Sequence, residues 1–185
     1  MSPLTAYLKD KAVALKKRKE AIEAEKPAAK QLSASVTAEG RSGIRRVRIR
    51  DFQVVTDAPP DLAGYNLGPS APELLLGSLG SCLVHTLMIQ AAWLDIPIDS
   101  ADAIVTGNFD ARTGHPAFPD FPSLLANVAY VLRVSSPAPE HQLLKLHELV
   151  SKFCPILNLI RGGQAVPGSL ERSCISSTIC KRRHK

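Results

Sequence analysis

The rhythm of apolar and polar positions changes several times along the chain. Residues 3–25 place Leu4, Leu8, Leu15 and Ile22 near one helical stripe, with Pro3 suited to the first helical position after Ser2. The stripe is thin and padded with alanine. It predicts an arm that lies on a body or a partner and ends at Pro27. From Leu32 to Val55 the period becomes two. After the glycine-rich turn Glu39–Gly43, Val47 and Ile49 alternate with Arg46, Arg48 and Arg50. This pattern predicts an antiparallel hairpin with one solvated face. Residues 57–69, punctuated by Pro59, Pro60, Gly64, Gly68 and Pro69, read as loop.

The next stretch is the most apolar. From Leu74 to Leu94 the only polar side chains are Ser78, Ser81, His85, Thr86 and Gln90. Apolar residues on every side of a helix mean either a buried core element or a membrane span. Gly77 and Gly80 in the middle, the five polar residues and Asp95 at the end favour a protein interior. Ser70, Pro72 and Glu73 supply the cap. Gly77, Ser78, Gly80 and Ser81 leave room for another backbone to approach. Strand character returns at Ala103–Val105 and Asn127–Val134. A second helix over 139–153 carries Leu143, Leu146, Val150 and Phe153, and Pro155 directly after Cys154 breaks it. Strands grouped around two apolar helices predict an α+β fold. The expected organisation is a helical arm over 1–31, a domain over 32–163 and a divergent basic tail over 164–185.

Charge is distributed unevenly. Residues 1–50 hold thirteen Lys and Arg against five acids, residues 51–180 six against twelve, and residues 181–185 add four more cations. The basic character thus belongs to the two ends. A nucleic-acid surface needs cations on one folded face with aromatic rings among them, and the arginine strand has no interleaved ring. A solvated face is the simpler reading. Residues 1–30 are charged throughout, without the apolar centre of a secretory signal, and Asp10, Glu20, Glu23 and Glu25 argue against an organelle-targeting peptide. The expectation is a cytoplasmic protein, with neither nucleic acid nor membrane among its partners.

The four cysteines lie 72, 20 and 6 residues apart, without the close pairs of a zinc site. Cys174 and Cys180 fall in a polar tail and read as surface thiols. Cys82 lies about three turns into the apolar helix, and Cys154 sits at the break of the other. Helices that pack together would bring these sulfurs into reach. Peroxide reduction uses such a pair: one thiolate attacks the peroxide and becomes a sulfenic acid, and a second thiol condenses with it. A nearby cation keeps the first sulfur ionised, arginine being suited because it stays charged and forks toward a carboxylate. His85, one turn beyond Cys82 amid apolar residues, reads first as a satisfied core histidine, with contact to the Cys82 pocket as the alternative.

The run Gly68-Pro69-Ser70-Ala71-Pro72-Glu73-Leu74-Leu75-Leu76-Gly77-Ser78-Leu79-Gly80-Ser81-Cys82 resembles the first cysteine motif of the OsmC/Ohr family. Phe153-Cys154-Pro155-Ile156-Leu157-Asn158 resembles the second. Asp51-Phe52 and Thr56-Asp57-Ala58-Pro59 are similar to the segment leading into the first motif, and the likeness spans about residues 32–163. The resemblance implies antiparallel sheets wrapped around two central helices, in an intertwined homodimer with active sites between subunits. It implies reduction of organic hydroperoxides, with a dithiol such as dihydrolipoamide as reductant and no prosthetic group. By position it makes Cys82 the peroxidatic thiol, Cys154 the resolving thiol and Glu73 the carboxylate. Arg41 in the hairpin turn is the expected cation, with Arg46 or Arg48 as substitutes. Ala58, where many relatives carry an acid, and the chain after Gly163 depart from the pattern. A non-catalytic member that binds an apolar ligand or partner is the alternative, and a basic-arm nucleic-acid binder a third.

Overall fold

The computed structural model describes residues 1–171, and its elements follow the hydrophobic rhythm closely. Helix α1 spans Pro3–Glu25, with Ser2 as its N-cap. Strands β1 (Ser35–Ala38), β2 (Arg45–Ile49) and β3 (Phe52–Thr56) form one antiparallel sheet in that order. After a loop come α2 (Ala71–Trp93), β4 (Ser100–Asn108) and β5 (Ala126–Ser135), then α3 (Glu140–Phe153) and α4 (Pro155–Gly162). β4 and β5 pair antiparallel as a separate two-stranded sheet. The fold is α+β, as expected.

The third strand is where the hairpin expectation falls short. Arg50, read as a continuation of the arginine strand, instead takes a left-handed φ of 55° and turns the chain. Ile49 then faces Phe52 across β2 and β3. A positive φ at an arginine leaves no signal in an alternation count.

The core is built on α2. Leu79, Leu83, Leu87 and Ala91 of this helix pack with Ile98, Leu146, Val150 and Leu157. Ala101, Ala103 and Val105 form the inward face of β4, and a Cβ added to Gly80 would stand only 3.3 Å from Val105 Cγ2. Gly80 therefore permits the close approach of helix to sheet. Gly77 meets nothing within 4 Å, and Ser78 and Ser81 are exposed beside it.

The arm is anchored to this core. Leu8 is buried, and Leu4, Ala12 and Leu15 pack behind it. Ser2 Oγ and Thr5 Oγ1 both donate to the Ile98 carbonyl, at 3.2 and 2.8 Å. Beyond Leu15 the helix is exposed throughout. The β1–β3 sheet, in contrast, lies apart from the helices. Val36, Ile49 and Phe52 are exposed. α2 is not fully covered either: Leu75 and Trp93 each keep 43% of their surface. A helix apolar on every side is thus only partly buried by its own chain. Residues 163–171 carry no regular structure, and the rest of the expected tail, with Cys174 and Cys180, lies outside the described residues.

Candidate functional site

The loop that delivers the chain into α2 is organised by one buried carboxylate. Asp57 accepts hydrogen bonds from the N–H groups of Ala58, Tyr65 and Leu67 at 2.8, 3.0 and 3.1 Å. Burial pushes this carboxyl up, but the three N–H donors and the Arg45 charge outweigh it and hold Asp57 below its ordinary value. Arg45 braces the same corner by donating to the carbonyls of Gly43 and Asp57 at 2.7 and 3.1 Å. Gly68 lies so close to β3 that a Cβ there would fall 2.3 Å from the Val55 carbonyl oxygen. These contacts set where Ser70 begins the helix. Sequence reading passed over Asp57 as an organiser, although a lone acid opening a Pro- and Gly-rich loop is a recognisable turn signal.

Ser70 and Glu73 then close a capping box. The Glu73 carboxylate accepts from the Ser70 N–H and hydroxyl, both at 2.7 Å. The hydroxyl bond, then the backbone one, holds Glu73 below its usual value. Glu73 also lines an open hollow between α2 and β4. Within one chain its carboxylate is engaged by the cap, not by an arginine.

Three turns along α2, Cys82 emerges half-buried on the floor of an open hollow of about 500 Å3. Leu74, Gly77, Ser78, Ser81, His85 and Ile156 complete its lining. The small residues, left over from close packing on this side, make the room. Behind Cys82 lies Cys154, fully buried at the junction of α3 and α4, where Pro155 starts a new helix. The two thiols are free and near enough for Cys82 to act on Cys154. Burial pushes the Cys154 thiol up, and the neighbouring Cys82 sulfur adds to this. The N–H groups of Leu157 and Ile156 at the start of α4 act in the opposite direction without closing a capping hydrogen bond. Cys154 is accordingly held as the protonated thiol.

The arginines stand elsewhere. Arg41 is exposed in the hairpin turn and does not line the hollow in front of Cys82. Arg46 is paired with Glu39 across the sheet and donates to Gln53 at 2.7 Å, while Arg48 is exposed on β2. A single chain therefore places Cys154 near Cys82, holds Glu73 on the same helix but engaged by its cap, and leaves Arg41 on a separate turn.

His85 corrects another sequence expectation. It is not a satisfied core histidine but exposed at the edge of the Cys82 hollow. Burial of part of its ring, followed by the charge of Lys11 on α1, holds it below its ordinary value. By comparison, His147 meets the Tyr130 hydroxyl at 3.2 Å and His115 accepts from the Ala117 N–H. Among the described residues no group of three or more His, Cys, Asp and Glu side chains is placed to hold a metal.

Residues 64–167 match the family model described as OsmC-like protein. Solved structures share the fold at low identity. An OsmC-like protein from Mycoplasma pneumoniae is 23% identical, with a TM-score of 0.63 over 74% of this chain and 91% of that one. An organic hydroperoxide resistance protein, OsmC, from Legionella pneumophila is 16% identical, with a TM-score of 0.53 over 74% and 93% of the two chains. An organic hydroperoxide resistance protein from Elizabethkingia anophelis with thiocyanate bound is 19% identical, with a TM-score of 0.51 over 74% and 91%. Among curated proteins none matches the sequence.

Proposed function

Because the chain belongs to the OsmC-like family, we propose that it is a cytoplasmic, thiol-dependent peroxidase that reduces organic hydroperoxides to alcohols. The observation that carries this reading is the placing of two free thiols of unequal access in one core cluster, near enough for Cys82 to act on Cys154. One opens on a hollow and the other is buried behind it. The Cys82 thiolate attacks the terminal peroxide oxygen. A sulfur–oxygen bond forms, the oxygen–oxygen bond breaks, and the alkoxide leaves to be protonated as an alcohol. Cys154 then attacks the sulfenic sulfur, forming the Cys82–Cys154 disulfide and releasing water. Burial suits Cys154 to this second role, since it is shielded from peroxide yet neighbours the sulfur it must resolve. A dithiol such as dihydrolipoamide restores both thiols by exchange, taking the oxidation itself.

The cation is supplied in this reading by a second copy of the chain. An α2 with exposed Leu75 and Trp93, and an arginine-bearing sheet separate from the helices, are halves that a homodimer would unite. Arg41 would then act on the partner's thiol, with Glu73 steadying the guanidinium. Among the described residues no arginine lines the Cys82 hollow, and this favours the alternative, a non-catalytic protein whose hollow binds an apolar ligand. Thiol titration after one equivalent of cumene hydroperoxide separates the two. The peroxidase loses two thiols per chain and yields a Cys82–Cys154 disulfide by peptide mass mapping. Retention of both thiols would establish the binding protein instead.

A further inference from the structure

We propose that His85 is the proton carrier of Cys82: its imidazole takes the thiol proton and returns it to the group that the sulfur displaces. This rests on the peroxidase reading for the second half of the transfer, but not for the first. Cys82 and His85 are three residues apart on α2 and line the same hollow, a spacing that sets side chains about 5–6 Å apart at Cβ on one helix face. From that distance an imidazole reaches a thiol by a rotamer change. His85 is exposed and has no hydrogen-bond partner among the described residues, in contrast to His115 and His147.

The charged groups around it define its state. On α2 the ionisable neighbour is Cys82, from α1 Lys11 acts on the ring, and the α4 side contributes the uncharged Ile156. Partial burial and the Lys11 charge both favour the neutral ring, the form that accepts a proton. The step then balances. Cys82 thiol and neutral His85 become thiolate and imidazolium. The thiolate takes the terminal OH of the hydroperoxide as a sulfenic acid, and the alkoxide removes the imidazolium proton. Alcohol is released and His85 is neutral again. The Lys11 charge keeps the imidazolium willing to give its proton up. The arm α1, outside the stretch matched by the family model, thereby takes part in the chemistry.

The test uses the reduced full-length protein and His85→Gln, which keeps a polar side chain at an exposed position. Two rates are followed against pH: Cys82 alkylation by iodoacetamide, and single-turnover oxidation by cumene hydroperoxide. Alkylation of the variant at pH 6 is expected to slow about tenfold, the equivalent of one pKa unit of thiolate formation. Peroxide oxidation at pH 7 is expected to slow about 100-fold, the lower end of what a positioned acid–base group contributes. Its bell-shaped profile becomes a single rising limb, since the bell belongs to the coupled Cys82–His85 pair. Lys11→Met moves the falling limb, which belongs to His85, to higher pH, because removing a cation raises the imidazolium ionisation, a shift that a structural role for Lys11 would not produce. An alkylation profile identical in wild type and His85→Gln overturns the proposal, whatever peroxide does. A displaced alkylation profile in a wild type inert to peroxide would sink the peroxidase reading and leave the Cys82–His85 proton transfer standing.

Discussion

The thiol pair and the arginine-rich sheet are held in different ways. Cys154 is locked by burial between Val150 and Leu157, both buried, and α2 carries Cys82 over the same core. The β1–β3 sheet has its own hydrogen bonds and its own ion pair, Arg46 with Glu39, but among the described residues no helix packs across its face. A covalent chemistry needs its two sulfurs placed to within bonding distance, so they belong to one rigid core. A charge acts over several ångströms and tolerates being carried on a separate element. The difference shows which half of the proposed site one chain completes and which half it leaves to a partner.

The most damaging change to that comparison is at the sulfur itself. Cys82→Ser is expected to lower peroxide-dependent thiol loss by about a thousandfold or more, as removal of a nucleophile does. Cys154→Ser is expected to leave the first turnover intact and stop the second, with sulfinic acid accumulating at Cys82 in mass spectra. Equal loss of the first turnover in both variants would mean that the roles are not divided.

The sheet is tested next. Arg41→Met is expected to slow the reaction about tenfold or more at neutral pH, in line with losing one to three pKa units of thiolate stabilisation. If the arginine crosses between subunits, co-refolding Arg41→Met with Cys82→Ser restores roughly a quarter of wild-type activity. Half of the dimers are then mixed and each holds one intact site. No restoration would assign the arginine to its own chain or remove it from the site.

Smaller effects probe the loop that joins the two regions. Gly68→Ala forces a Cβ against the Val55 carbonyl, and its Tm is expected to fall by roughly 5 °C, the scale of a displaced tight contact in a chain of this size. The smallest change is in pH dependence. Asp57 has a depressed carboxyl, so its contribution to stability is complete above the ordinary carboxylate value and lost as pH falls through the depressed one. Urea midpoints between pH 6 and pH 2 are expected to decline less in Asp57→Asn than in wild type. Parallel curves would show that the carboxylate does not couple to folding.

Much of this was legible along the chain because it depends on local rules. The span of α1, the Ser70–Glu73 cap, the all-apolar α2 and the break at Pro155 follow from side-chain spacing, proline geometry and capping chemistry, each acting within a few residues. The strand pair β4–β5 was visible for the same reason. The left-handed turn at Arg50 was not, because nothing but its strand partners requires it.

The sequence by itself determined the elements, the order of the two cysteine motifs and the helix that had to lie at the centre. Tertiary structure decided that Cys154 lies buried near enough for Cys82 to act on it, that His85 is exposed at the hollow and not held in the core, and that the Lys11 charge acts on it. Periodicity records which side of an element is apolar. It carries no information about which elements meet across seventy residues of chain, and a site is made of those meetings.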